Sequence, residues 1–344
     1  MPSGIADSAL YKCIAMKALC LTRNEHFEFI ELPEAAAPGS GEALVAIRSI
    51  GICGTDISGY LGKMPFIEFP RILGHELGVE ILAVGEGVTN VQPGDRCSVE
   101  PYLNCGSCHA CQQDKTNCCE SLRVLGVHTD GAMRERMILP AHKLHPANAL
   151  SFEQLALVET LAIGCHAVNR AAIRSDDDVL IIGAGPIGLT VLEFARLTGA
   201  PITVLELNET RCAFVRENYP GVTVVESLPD EPCAQVVFDA TGHPVSMARA
   251  LKLARFTGRI IYVGITKEPV LLDDPLFHRR ELTLLASRNA VGSDFPRILS
   301  LITSGQIDTR TWITHRCTLD ELPAYMPVWV MPGSGLVKGV VSIG

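Results

Sequence analysis

Apolar residues in this chain fall into two textures. Up to about residue 150 they come in short runs, such as EALVAIRSI, ILGHELGVEILAVG and AMRERMILP, each soon broken by Gly, Pro or Asp. Short strands at such spacing predict a barrel-like β domain. From about residue 160 the runs change. DDVLIIGAG reads as a buried strand, PIGLTVLEFARLTGA as a helix opened by Pro186 and closed by Gly199, and PITVLEL as a second strand. QVVFDATG, GRIIYVGI and ELTLLASR continue the series, and strands alternating with helices predict a parallel α/β sheet. After about Asn289 the pattern returns to mixed helix and short strand, ending in LVKGVVSIG. A β-rich part split around an α/β insertion is the expected architecture.

Composition narrows the partners. The 344 residues are 47% hydrophobic and 19% charged, with a net charge of −9. That length suits two domains with their own cores, and the acidic balance argues against nucleic acid as partner. No apolar run reaches the roughly 20 residues that span a bilayer, so no membrane partner is expected. The start, MPSGIADSALYKCIAMK, lacks the basic and apolar regions of a signal peptide and reads as an irregular extension, with strand from about Ala18. The expected setting is cytoplasmic. There, thirteen cysteines, five of them in NCGSCHACQQDKTNCCE, point to metal before disulfides.

Gly183, Gly185 and Gly188 form G-x-G-x-x-G after the strand Val179–Ile182 and before a helix. In that context the glycines allow a tight turn, close approach of a pyrophosphate and close helix packing, with the helix N-terminus facing the phosphates. Pro186, Ile187 and Val263 are counted with them as cofactor-binding positions. Glu206 ends the second strand, where a carboxylate accepts hydrogen bonds from ribose hydroxyls and repels a 2′-phosphate, which favours NAD. Arg211 is near enough to stack on adenine or to meet a phosphate.

A third group carries metal-ligand chemistry. GICGTDIS supplies Cys53, Thr55 and Asp56; ILGHELG supplies His75 and Glu76; LALVETLAIG supplies Glu159. Singly, each has a bland reading as a buried thiol or core histidine. A His-Glu pair framed by Leu73 and Leu77 is costly to bury unless something satisfies both groups, and a metal would.

GICGTD, GHE, four cysteines with gaps of two, two and seven, VETL and GAGPIG occur in that order. The chain after Met16 thus resembles the zinc-dependent medium-chain alcohol dehydrogenases of the polyol and sugar-acid branch. CESLRVLGVHTDG and Ser287–Ala290 (SRNA) are similar to L-galactonate and L-idonate 5-dehydrogenases, and more distantly to sorbitol and threonine dehydrogenases. The resemblance implies a GroES-like catalytic domain over residues 1–159, containing a cysteine loop at 104–120. It also implies a doubly wound Rossmann domain over 160–287 and a return to the catalytic domain over 288–344. It implies a homodimer or homotetramer joined through the Rossmann sheets.

It further implies two zinc ions. One would be held by Cys53 and His75, with Glu159 as resting ligand or holder of the water at the metal and Glu76 able to swing in. Asp56 would accept a hydrogen bond from the far nitrogen of His75. Three protein ligands with an open position are the catalytic arrangement, and the alcohol proton would pass to Thr55. Many relatives carry a histidine three residues after that threonine; here it is Ser58, so the expected proton path runs through the ribose hydroxyl and water. The second zinc would be the closed set of Cys105, Cys108, Cys111 and Cys119, tying a surface loop. Spacing alone leaves Cys118 open in place of Cys119, and the resemblance selects Cys119. His109, between these cysteines, is expected to face solvent. A zinc-ribbon nucleic-acid module would want more basic neighbours than Lys115.

Substrate contacts are expected from Arg288 and Asn289, where the chain leaves the sheet, and from His128. The alternative for Arg288 is pairing with a neighbouring acid. His166 is expected between domains, and His278, Arg279 and Arg280 on a solvated face. The activity expected is NAD-dependent oxidation of a secondary alcohol in a sugar acid or polyol. A threonine-type amino-alcohol dehydrogenase and a catalytically retired cofactor-binding scaffold are the rival readings.

Overall fold

The computed structural model describes residues 15–344. The expected N-terminal extension lies outside the described residues, and the first strand, Ala15–Arg23, starts three residues earlier than predicted.

Six parallel strands form the α/β sheet. Their order across it is Thr223–Val225, Ile202–Leu205, Val179–Ile182, Ala234–Asp239, Ala254–Tyr262 and Thr283–Ala286. In chain order this is 3-2-1-4-5-6, the dinucleotide-binding arrangement whose ligand crevice lies beyond the carboxyl ends of the strands where the order reverses. The Val179–Ile182 strand is buried throughout, as its apolar run requires. Thr283–Ala286 is an edge strand and largely exposed.

The β-rich part contains a seven-stranded sheet and a smaller three-stranded one. The split is visible in its pairing. The C-terminal strand Lys338–Ser342 runs antiparallel to Glu42–Ile52, and Ile313–Thr318 joins it on the far side. Cys317, Met326, Trp329 and Val341 from the returning segment share one apolar core with Leu19, Ile47, Leu77 and Val99. Their burial makes the returning segment part of the core begun by the first 150 residues.

One helix, Phe152–Ala171, joins the two parts. Ser151 caps it, accepting from the Gln154 N–H while the Gln154 side chain accepts from the Ser151 N–H. The helix packs against the strand Glu76–Val84 at Gly78 and against the helix Pro186–Ala195 at Gly164. A Cβ on Gly164 would lie 2.3 Å from the Thr190 carbonyl carbon. The boundary expected at 159/160 falls inside this continuous helix. It is buried on nearly every side, so its sequence carries no amphipathic stripe that would have marked its limits.

Candidate functional site

The helix Gly54–Tyr60 and the turn before the strand Glu76–Val84 bring Cys53, His75 and Glu76 together. One donor atom of each lies within 4.8 Å of the other two. His75 and Glu76 are buried and Cys53 is partly so. Glu76 Oε2 has no hydrogen-bond partner among the described residues, and a buried carboxylate oxygen is not left bare without cost. A sulfur, an imidazole and this carboxylate oxygen fit one zinc ion with a position to spare.

Asp56 underlies the cluster. Its carboxylate accepts from the Cys53 N–H at 2.9 Å, closing a capping box on the helix, and from the Gly74 N–H at 3.3 Å. Its Oδ1 lies 3.6 Å from His75 Nδ1, which is ion-pair range but longer than the expected hydrogen bond. The two backbone donors hold the carboxylate slightly back. Burial alone would lower the His75 pKa, but the charges of Asp56 and Cys53 outweigh it and raise it well above the usual value.

The two candidate carboxylates take different places. Glu76, not Glu159, belongs to the cluster. Glu159, on the long helix, is buried and accepts a hydrogen bond from the Tyr102 hydroxyl. Burial pushes its pKa up, partly offset by His75. Glu76 Oε1 is instead held by Lys338, whose ammonium lies 2.5 Å away and which also donates to the Ile52 carbonyl. Neither Tyr102 nor Lys338 was anticipated. A lone lysine in the apolar terminal run LVKGVVSIG was the available signal, since a charge in a buried strand needs a partner. Tyr102 carried none.

Thr55 sits half-buried in the first turn of the same helix, with half-buried Ser58 one turn on.

Cys105, Cys108, Cys111 and Cys119 form the second cluster, with their sulfurs within 4.8 Å of one another. Cys118 is exposed and outside it, so the choice that spacing left open falls on Cys119. Backbone N–H groups of Ser107 and Cys108 donate to the Cys105 sulfur and lower its pKa to about 5. The Cys105 N–H donates to the Cys119 sulfur at 3.3 Å and lowers its pKa. Donors aimed at sulfur favour thiolates at Cys105 and Cys119, while burial pushes the Cys111 thiol up to about 11; four converging sulfurs fit a closed zinc site. All twelve described cysteines are free, which leaves no place among them for a disulfide framework. His109 is exposed, as expected.

The glycine loop is built for a pyrophosphate. Gly183 has φ +94°, and a Cβ on Gly188 would lie 1.8 Å from the Gly183 carbonyl oxygen. Gly185 caps the helix Pro186–Ala195, with space on its open side bounded only by Arg211. Glu206 is buried, accepting from the N–H groups of Ala184, Leu207 and Asn208 at 2.7 to 2.8 Å; Arg211 lies 3.8 Å away. Val263 follows the fifth strand, half-buried, its N–H bonded to the Asp239 carbonyl. Pro186 and Ile187, also half-buried, open the helix.

Of the substrate candidates, His128 is exposed, its Nδ1 accepting from the Val124 N–H, with the Phe66 ring 6.2 Å away. Arg288 is exposed too, and Asn289 adopts φ +48°. Arg288 pairs with no acid among the described residues; the arginine ion pairs lie elsewhere. His166 lies between the cysteine loop and the returning segment. Arg280 corrects the expected solvated face: it is buried and donates to the carbonyls of Leu251, Lys252 and Ala254, capping the helix Pro244–Leu253. His278 and Arg279 are exposed.

Comparison with known proteins agrees with this geometry. Residues 39–149 match the Alcohol dehydrogenase GroES-like domain family and residues 186–304 the Zinc-binding dehydrogenase family. The L-galactonate-5-dehydrogenase of Escherichia coli K12 is 37% identical over 319 residues, covering 90% of this chain and 94% of that one. The E. coli CFT073 alcohol dehydrogenase rspB, complexed with NADH, superposes with a TM-score of 0.88 at 27% identity, covering 96% and 99% of the two chains. A zinc-binding dehydrogenase of Sinorhizobium meliloti 1021 bound to NADP gives 0.87 at 28% identity, with the same coverage. No described helix is long and apolar enough to cross a membrane.

Proposed function

Since this chain belongs to the zinc-binding alcohol dehydrogenase family, we propose that it transfers hydride from a secondary alcohol of a sugar acid, of the L-galactonate kind, or of a polyol, to NAD. The observation that carries the reading is one helix. Phe152–Ala171 places Glu159 beside the sulfur–imidazole–carboxylate set and, five residues on, Gly164 against the helix that opens at the glycine loop.

In this reading Cys53, His75 and Glu76 would hold a zinc, which would supply Lewis acidity for an alcohol oxygen. Lys338 balances the Glu76 charge, and the Tyr102 hydroxyl holds Glu159 beside that set. Thr55 receives the alcohol proton. Ser58 cannot store positive charge near neutral pH, so it would hand a proton on rather than hold it, and the ribose hydroxyl and water would be the way out. The N-terminus of Pro186–Ala195 takes the pyrophosphate. Glu206 accepts from the ribose hydroxyls and disfavours a 2′-phosphate, so NAD is preferred over NADP. Cys105, Cys108, Cys111 and Cys119 hold a second, closed zinc. Two chains pair through the exposed edge Thr283–Ala286, as homodimer or homotetramer, in the cytoplasm.

The test is a substrate panel of L-hexonates, polyols and amino alcohols with NAD and NADP, followed at the nicotinamide absorbance. The reading expects the highest kcat/KM for a hexonate or polyol with NAD. Preference for an amino alcohol, or cofactor binding without turnover of any member, contradicts it.

A further inference from the structure

Asn117 lies in the short turn Thr116–Cys118 of the cysteine loop and is almost fully buried. Its Nδ2 donates to the Arg288 carbonyl at 2.7 Å and lies 3.2 Å from His166 Nε2. A carbonyl can only accept, so this contact fixes which way round the amide sits. The second N–H then meets Nε2, which leaves the His166 proton on Nδ1, 3.4 Å from Asp294 Oδ2. Asp294 in turn accepts from the Val291 N–H at 3.1 Å and from Asn169 at 3.0 Å. One buried polar chain therefore links the cysteine loop, the long helix and the segment leaving the sixth parallel strand.

That segment is held from another side as well. A Cβ on Gly292 would lie 2.8 Å from Glu100 Oε2, and Glu100 is buried on the Lys143 ammonium at 2.5 Å. Backbone 288–292 is thus pinned by groups of the β-rich part, while the Arg288 side chain remains exposed. The charge of Arg288 reaches His128, whose pKa is lowered first by burial and then by Arg288 and Arg71. Asn117 Oδ1 is buried without a partner among the described residues, a cost that accompanies the contacts of the amide's two donors.

We infer that Asn117 is a positioning residue for Arg288: the metal-tied loop sets the backbone from which that guanidinium meets the substrate's carboxylate. The inference rests on the sugar-acid reading above. It gives the cysteine loop a part in substrate recognition, besides tying down a surface segment. An arginine aimed at a carboxylate binds through paired N–H donors, so a small backbone displacement weakens both together.

The test compares wild type with Asn117→Asp, which keeps the shape and removes the donor, on an L-hexonate and its matching hexitol. The expected result is about a tenfold rise in KM for the hexonate, with a smaller change for the hexitol. Values of kcat, KM for NAD and bound zinc should stay within about twofold. In an Arg288→Ala background the same change should leave hexonate KM unaltered, because the interaction it serves is gone. An equal KM rise for both substrates, or an undiminished rise in the Arg288→Ala background, overturns the inference. So does a lowered melting temperature with unchanged KM. If Asn117→Asp does not fold, Asn117→Ser runs through the same comparison with the same criteria. Wild type inactive on both substrates would instead overturn the sugar-acid reading, and this inference with it, before any variant is made.

Discussion

Lys338 and Glu76 form an ion pair with both side chains at most 2% exposed, joining the C-terminal strand to the residue after His75. Such a pair gains little over an apolar one in stability, but removing one partner strands a buried charge. The pair also divides the Glu76 carboxylate: Oε1 is committed to the lysine, and Oε2 is free for an ion.

Lys338→Met should therefore cost about 3 kcal/mol or more of stability, read by denaturant unfolding at neutral pH. Pairing it with Glu76→Gln should recover part of the loss. A double variant as unstable as the sum of the two would show that the residues are not coupled.

Cys119 and Cys118 are adjacent in sequence but differ in place. Cys119→Ser should remove the closed metal, lowering zinc content by one ion per chain and the melting temperature by several degrees. Cys118→Ser should change neither. Metal analysis with a thermal scan checks both, and a loss of zinc with Cys118→Ser would move the ligand assignment.

Glu206→Ala removes the acceptor at the end of the second parallel strand and leaves the Ala184, Leu207 and Asn208 N–H groups without their partner. KM for NAD should rise by about tenfold or more, while KM for NADP falls or stays constant. Steady-state kinetics with both cofactors measure this. Parallel rises for the two would place Glu206 away from the ribose.

Asp177, 1% exposed, precedes the first parallel strand and accepts from the Arg174 N–H and the Arg259 guanidinium. Burial opposes its charge, but these donors prevail and hold its pKa below the usual 3.8. Because the folded value is the lower one, its stabilisation is present above the unfolded pKa and lost as pH falls through the folded one. Asp177→Asn should cost about 2 kcal/mol at pH 7, with the gap to wild type narrowing below about pH 4. A gap independent of pH would mean that packing, not charge, accounts for the loss.

Features set by local backbone needs were readable from sequence alone. Gly183 and Gly188 occupy positions that a side chain cannot, and Pro186 opens its helix, so the dinucleotide loop declared itself. The cysteine spacing likewise announced a metal site. What required three dimensions were the partners of buried charges. Lys338 is 262 residues from Glu76, and Tyr102 is 57 from Glu159, so no spacing could connect them. Those partners decide which carboxylate joins Cys53 and His75. Arg280 misled for the same reason: next to His278 and Arg279 it reads as surface, yet it ends on three carbonyls at the close of another helix.

The central claim is that Cys53, His75 and Glu76 hold a catalytic zinc distinct from the cysteine-loop ion. Elemental analysis of wild type and Cys53→Ser, on the same preparations assayed with an L-hexonate and NAD, tests it most directly. The account predicts two zinc ions per wild-type chain. For Cys53→Ser it predicts one, with turnover lost while melting temperature and NAD binding persist. A single zinc in active wild type, or turnover surviving in Cys53→Ser, would contradict it.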